Sequence, residues 1–180
     1  MRHFVLGMTD YYTVFDLPRT LAVDTEELQK RFYARTRQWH PDRFGSASAD
    51  KQAEALEITS ALNDGYRVLR DPLARAEYLL SLEGLEIATQ RSDNVPPELL
   101  EEVFELNEML EDAAGNREEL AAAQTRFQAM LERVDCDLAH EFEQYDTNPD
   151  RSVLLVIRSI LNRRRYIQNL LRDVHQALAS

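Results

Sequence analysis

Leu28-Gln29-Lys30-Arg31-Phe32-Tyr33-Ala34-Arg35-Thr36-Arg37-Gln38-Trp39-His40-Pro41-Asp42 reads as a basic amphipathic helix ended by its own proline. Leu28, Phe32 and Trp39 fall on one side at i, i+4 and i+11, while Lys30, Arg31 and Arg37 lie off that stripe. Pro41 has no N–H and disfavours helical geometry at His40, so the helix must stop there. Gly45-Ser46-Ala47-Ser48 then allows a turn. An imidazole and a carboxylate are thereby presented side by side at the tip of a helical hairpin. An acid–base pair is the enzymatic reading. The chain supplies no nucleophile, oxyanion donors or phosphate cradle to go with it, so the tip reads as a recognition element.

The segments around the tip extend this pattern. A short helix is expected from about Tyr11 to Asp16, closed by Leu17-Pro18. Asp24 or Thr25 caps the basic helix, with Glu26 and Glu27 in its first turn, where the helix dipole favours anions. The returning helix runs from near Ala49 to Arg70. Asp71-Pro72 provides a cap and a first-turn proline for a fourth helix through about Leu82, ended by Glu83-Gly84. The His40-Pro41-Asp42 tip, the Leu62–Pro72 closure and Arg75-Ala76-Glu77-Tyr78 together resemble a J-domain over residues 10–78. That is the module by which DnaJ-like co-chaperones address their 70-kDa heat-shock partner.

The chain has 180 residues, 44% hydrophobic and 29% charged, with only five glycines. It is long enough for real cores and reads as all-α and globular. No apolar stretch approaches the length that spans a bilayer, and Met1 to Gly7 lack the features of a secretory signal. The single Cys136 excludes an internal disulfide framework. Cys136, His3, His40 and His140 show no metal-ligand spacing, and no cofactor motif is present. A reducing compartment is expected, the cytoplasm of a bacterium or an organelle matrix after loss of a leader. Charge is uneven: residues 1–82 carry 11 Lys+Arg against 12 Asp+Glu, whereas residues 83–180 carry 10 against 20. The acidic half argues against nucleic-acid binding, which needs a concentrated positive footprint. Arg163-Arg164-Arg165 dissents, and is expected as a solvated or ion-paired face.

Residues 8–82 are expected as the first domain, 83–95 as a linker built round the polar stretch Ala88–Asn94, and 96–180 as an antiparallel three-helix bundle. Pro96-Pro97 opens the first bundle helix, which ends near Gly115-Asn116. The second runs from Arg117 to about Tyr145, and Thr147-Asn148-Pro149-Asp150 separates it from a third, Arg151 to Ala177. In the last helix Val153, Ile157, Ile160, Ile167, Leu171, Val174 and Leu178 recur in steps of four and three and form the expected core seam, interrupted by Arg164. Tyr166 lies roughly 140° from it and should face outward. In the first bundle helix Leu99, Val103, Leu106 and Leu110 form the core stripe. Leu100 and Phe104 flank it by about 80° to 120°, beside Glu105, Glu108 and Glu111. Large apolar side chains amid carboxylates either widen the buried stripe or mark an interface.

With its J-domain, the Asp71–Leu82 extension and an acidic C-terminal bundle, the chain resembles the HscB family across residues 8–178. These are the J-type co-chaperones of iron–sulfur cluster assembly. Leu99–Glu111 is similar to the family's scaffold-binding helix, and Tyr166-Ile167-Gln168-Asn169-Leu170 to its aromatic-bearing last helix. The resemblance implies a non-enzymatic adaptor without a cofactor. Leu100, Phe104, Glu105, Glu108 and Tyr166 would face an IscU-type scaffold. His40, Pro41 and Asp42, with Lys30, Arg31, Arg35 and Arg37, would face an HscA- or DnaK-type chaperone and stimulate its ATPase. A J-domain adaptor for a different client is the alternative. Four positions depart from the family pattern. Arg35 stands on the apolar stripe where the family usually has leucine, Ala34 and Gln38 thin the positive patch, and Glu101 replaces a frequent apolar contact.

Overall fold

The structure, a computed structural model, describes residues 10–87, 100–113 and 115–179. Among these, every regular element is helical. Two compact units, Met1–Leu79 and Leu80–Ser180, divide the chain.

In the first unit, α1 spans Tyr11–Val14, α2 Thr25–Trp39, α3 Ala49–Arg70 and α4 Pro72–Leu82, with a 3₁₀ turn over Pro41–Phe44 between α2 and α3. The expected caps are in place. Asp24 accepts from the amides of Glu26 and Glu27 at the start of α2, and Asp71 accepts from the Ala74 amide at 2.8 Å at the start of α4. Asp16 adopts a left-handed φ of 51°, so α1 stops at Val14, two residues earlier than expected.

Paired residues show that α2 and α3 run antiparallel. The Thr59 hydroxyl donates to the Trp39 carbonyl at 3.1 Å. Two helical turns away the Phe32 and Tyr66 rings stack with centroids 4.3 Å apart. Leu28 and Leu62 are buried beside them. Gly65 lets α1 lie against α3, because a Cβ there would stand 3.0 Å from both the Phe15 and Tyr11 rings. Tyr78 on α4 completes the unit. Its hydroxyl accepts from the Tyr11 amide at 2.9 Å and donates to Asp10 at 3.2 Å, while its ring stacks on Tyr11. Arg75, buried, donates to the Leu69 carbonyl at 2.5 Å near the end of α3.

In the second unit, α5 spans Leu100–Asp112, α6 Arg117–Thr147 and α7 Arg151–Ala179. Asn116 caps α6, accepting from the amides of Glu118 and Glu119. Arg164 pairs with Asp135 at 2.5 Å and Gln124 meets His175 at 2.6 Å, so α6 and α7 pack antiparallel along their length. Each is about 45 Å long at ~1.5 Å per residue. α5 is less than half that length and runs parallel to α7. Their shared core contains Leu106, Phe127, Val134, Ile167, Leu171 and Val174.

The expected stripes are partly redrawn. On α7, Leu154, Leu161 and Leu170 are buried, whereas Val153, Ile160 and Leu178 are only half-buried. On α5, Leu106 is buried and Val103 and Leu110 half-buried. Leu99, the polar stretch 88–94 and Pro96-Pro97 lie outside the described residues. No described helix is long and apolar enough to cross a membrane.

Candidate functional site: a braced tip and an exposed helix face

Below the tip, the backbone is tied on three sides. His40 takes an extended conformation, φ −58° and ψ 128°, as a residue before proline should. The Trp39 indole lies nearly parallel to the Phe44 ring, 9° between planes at 5.7 Å. The Arg43 guanidinium donates to the Arg37 carbonyl at 3.2 Å, covering a free carbonyl of the last turn of α2. From α3, the Gln52 amide donates to the carbonyls of Gly45 and Ala47 at 3.2 and 3.0 Å.

Above this frame the His40 ring and the Asp42 carboxylate lie side by side, Nδ1 to Oδ2 at 3.5 Å. Asp42 is 90% exposed and His40 half-exposed. The Asp42 amide donates to His40 Nδ1 at 3.3 Å. The tip therefore offers an imidazole and a carboxylate side by side on a rigid turn.

The basic face of α2 divides into two pairs. Arg31 donates to Glu27 at 2.8 Å and to the carbonyls of Phe15 and Asp16 at 2.9 and 2.6 Å. Arg35 pairs with the Asp16 carboxylate. Both hold the left-handed turn after α1. Lys30 and Arg37 are exposed and form no ion pair among the described residues. Tyr33, at i+3 from Lys30 and i−4 from Arg37, is 63% exposed. It passed unmarked in the sequence, although an aromatic off the Leu28–Phe32–Trp39 stripe was the available signal.

The second site lies on α5. Phe104 is 69% and Leu100 52% exposed, one turn apart on the side away from buried Leu106. Glu105 and Glu108 flank them on the α6 side, where a groove of about 450 Å³ is also lined by Met109, Asp112 and Glu119. On the α7 side stands Tyr166. It does not project freely as expected: it is half-buried, packed against the core, and its hydroxyl donates to the Val103 carbonyl at 3.2 Å. Burial pushes its pKa up, and a hydrogen bond with Asn107 opposes the shift. Leu100 and Phe104 thus project from α5 between Glu105 and Glu108 on the α6 side and the half-buried Tyr166 on the α7 side.

Two members of the arginine run position this face and the hairpin beneath it. Arg163 reaches Glu102 on α5 through Nε at 3.0 Å and Nη2 at 2.7 Å. Arg164 goes the other way, to Asp135 on α6. The expectation of an ion-paired face holds for these two. Among the described residues no group of three or more His, Cys, Asp or Glu side chains could hold a metal ion.

Comparison with known proteins fits this arrangement of a J-type hairpin and an acidic bundle. Residues 10–78 match the DnaJ domain and residues 95–175 the HSCB C-terminal oligomerisation domain. The "Co-chaperone protein HscB homolog" of Neisseria meningitidis is 35% identical over 144 residues, covering 78% of this chain and 87% of the relative. The chain belongs to the HscB family. Two solved structures agree with that assignment. Human co-chaperone protein HscB is 28% identical, with a TM-score of 0.66 over 94% of this chain and 82% of that one. Chaperone HscB from Vibrio cholerae is 30% identical, with a TM-score of 0.59 over 93% and 96%. The chain is accordingly a J-domain co-chaperone with a 70-kDa heat-shock partner, and is not an enzyme.

Proposed function

We propose that this HscB-family chain couples an IscU-type scaffold to an HscA- or DnaK-type chaperone, for the maturation of iron–sulfur proteins. HscB proteins act with HscA in iron–sulfur cluster assembly. The observation that carries the reading is the pairing of two exposed sites in two compact units. One is the braced His40–Asp42 tip and the other the Leu100–Phe104 face amid carboxylates.

His40, Pro41 and Asp42 bias the chaperone toward its hydrolysing state, which requires that the tip contact its two states differently. Lys30 and Arg37 steer the encounter toward an acidic surface. Arg31 and Arg35 support the same helix from within. Leu100, Phe104 and Tyr166 form the apolar part of the scaffold contact, and Glu105 and Glu108 its charged rim. Holding the scaffold on the chain that engages the chaperone raises its effective concentration there. The exposed thiol of Cys136 suits a reducing compartment, and the bacterial cytoplasm is the assigned location.

Steady-state ATP hydrolysis by the chaperone tests this, with the scaffold and this chain added separately and together. Stimulation by both beyond the sum of either alone is expected. Stimulation indifferent to the scaffold would leave a J-domain adaptor for a different client.

A further inference from the structure

The first two turns of α5 bear Leu100 and Phe104, and among the described residues none of Leu100 to Glu105 is fully buried. The apolar grip of α5 lies further on, at buried Leu106 and half-buried Met109 and Leu110. The described helix starts at Leu100, only six residues before that grip. Polar ties join the start of the described helix to α7. Both Nε and Nη2 of Arg163 converge on a single oxygen of Glu102. The next residue, Val103, gives its carbonyl to Tyr166. Two consecutive residues of α5 are therefore tied to two positions of α7 less than one turn apart.

A clamp of this form determines rotation as well as proximity. Successive residues on an α-helix differ by about 100° in direction. A roll of one step about Leu106 would carry Phe104 off the outward face and into the acidic flank near Glu105. Glu102 and Arg163 are only 28% and 37% exposed, so this pair is less screened than a free surface pair. The planar fork of an arginine fixes an angle, which a lysine ammonium would not.

We infer that Arg163 is a positioning residue for the scaffold-facing side of α5, acting through Glu102 to hold Leu100 and Phe104 outward. This rests on the scaffold reading above. Arg163 need not touch the scaffold itself. The nearby Arg164 and Tyr166 do not share the task, since Arg164 is committed to Asp135 on α6 and Tyr166 meets α5 at the Val103 carbonyl and Asn107, not at Glu102.

The test uses the full chain, an IscU-type scaffold protein and two readouts, scaffold affinity by calorimetry and hydrogen exchange of the α5 amides without scaffold. Arg163→Gln and Glu102→Gln are each expected to weaken the scaffold complex about tenfold. Each should also speed exchange in α5 while leaving the middle of α6 and α7 protected. The two together should cost little more than either alone, and the swap Arg163→Glu with Glu102→Arg should restore both readouts toward wild type. Arg163→Lys should recover only part. Wild-type exchange and affinity in both single variants, with Phe104→Ala still weakening the complex, would overturn the clamp and leave the scaffold reading standing. Faster α5 exchange with scaffold affinity unmoved in every variant, Phe104→Ala included, would overturn the scaffold reading and the role assigned to Arg163 within it.

Discussion

The Arg35 guanidinium of α2 pairs with the carboxylate of Asp16, the one non-glycine residue in the described chain with a positive φ. An arginine at a place on the apolar stripe thereby does what a leucine would do by packing: it ties α2 to the turn after α1. Arg31 adds two bonds to carbonyls of the same turn. Two of the four cations on the basic helix are thus turned inward, and Lys30 and Arg37 are left to meet a partner.

Arg35→Gln should therefore lower stability by less than about 1 kcal/mol, because Asp16 is largely exposed, and the difference should shrink at high salt. Chaperone ATPase stimulation should stay within about twofold of wild type, whereas Arg37→Gln should slow association in a salt-dependent way. Thermal melts and stopped-flow binding measure the two effects. A large loss of stimulation by a well-folded Arg35→Gln would make Arg35 a chaperone contact after all.

His40→Gln should abolish ATPase stimulation while leaving melting temperature and scaffold affinity unchanged. The ring is half-exposed, and its contacts with Asp42 are long, 3.3 Å to the amide and 3.5 Å to the carboxylate. Calorimetry with the scaffold and a coupled ATPase assay separate the two activities. Loss of both together would contradict the assignment of chaperone and scaffold to separate units.

Phe104→Ala should weaken scaffold binding by about 2 kcal/mol, as expected of an aromatic anchor at the centre of an interface, with little change in stability. Tyr166→Phe should behave differently. It keeps the ring against the core but loses the bond to the Val103 carbonyl, so about 1 kcal/mol of stability should go. Unchanged affinity in a Phe104→Ala, Tyr166→Ala double variant would remove this face from the scaffold interface.

Alkaline unfolding should report Tyr78. Burial pushes its hydroxyl from an ordinary 10.0 up to about 12. A raised pKa means that the folded unit favours the neutral, donating phenol. The stability it contributes is fully present below pH 10 and is lost as pH rises toward about 12. Tyr78→Phe should be less stable than wild type at neutral pH, and the gap should close across that window in denaturant melts. A gap that did not change with pH would place the effect in the ring stacking on Tyr11 alone.

Much of this molecule was legible before any coordinates. Asp24, Pro41 and Asp71-Pro72 act on backbone within a few residues of themselves, through capping and steric exclusion. The limits of α2, α3 and α4 follow from such local rules, and so does the placement of His40 and Asp42 at a helix end. Leu100 and Phe104 could also be set off the α5 stripe by angle alone.

The α7 seam could be read this way only in part, at Ile157, Ile167, Leu171 and Val174. Its buried stripe passes from Leu154, Ile157 and Leu161 to Ile167, Leu171 and Val174, a drift that no fixed seven-residue step follows. α5 lies against only the later half of α7, so the side of the helix that is covered changes along its length. The same cause decided the arginines. On a helical wheel Arg163, Arg164 and Arg165 are equivalent exposed cations, and Arg35 is one more member of a basic face. Which carboxylates Arg35, Arg163 and Arg164 meet depends on segments placed 19 to 61 residues away in the chain. Local sequence therefore determined where the helices begin and end and which groups crown the tip. Only the packing of distant helices decided which charges are spent within the protein and which remain for partners.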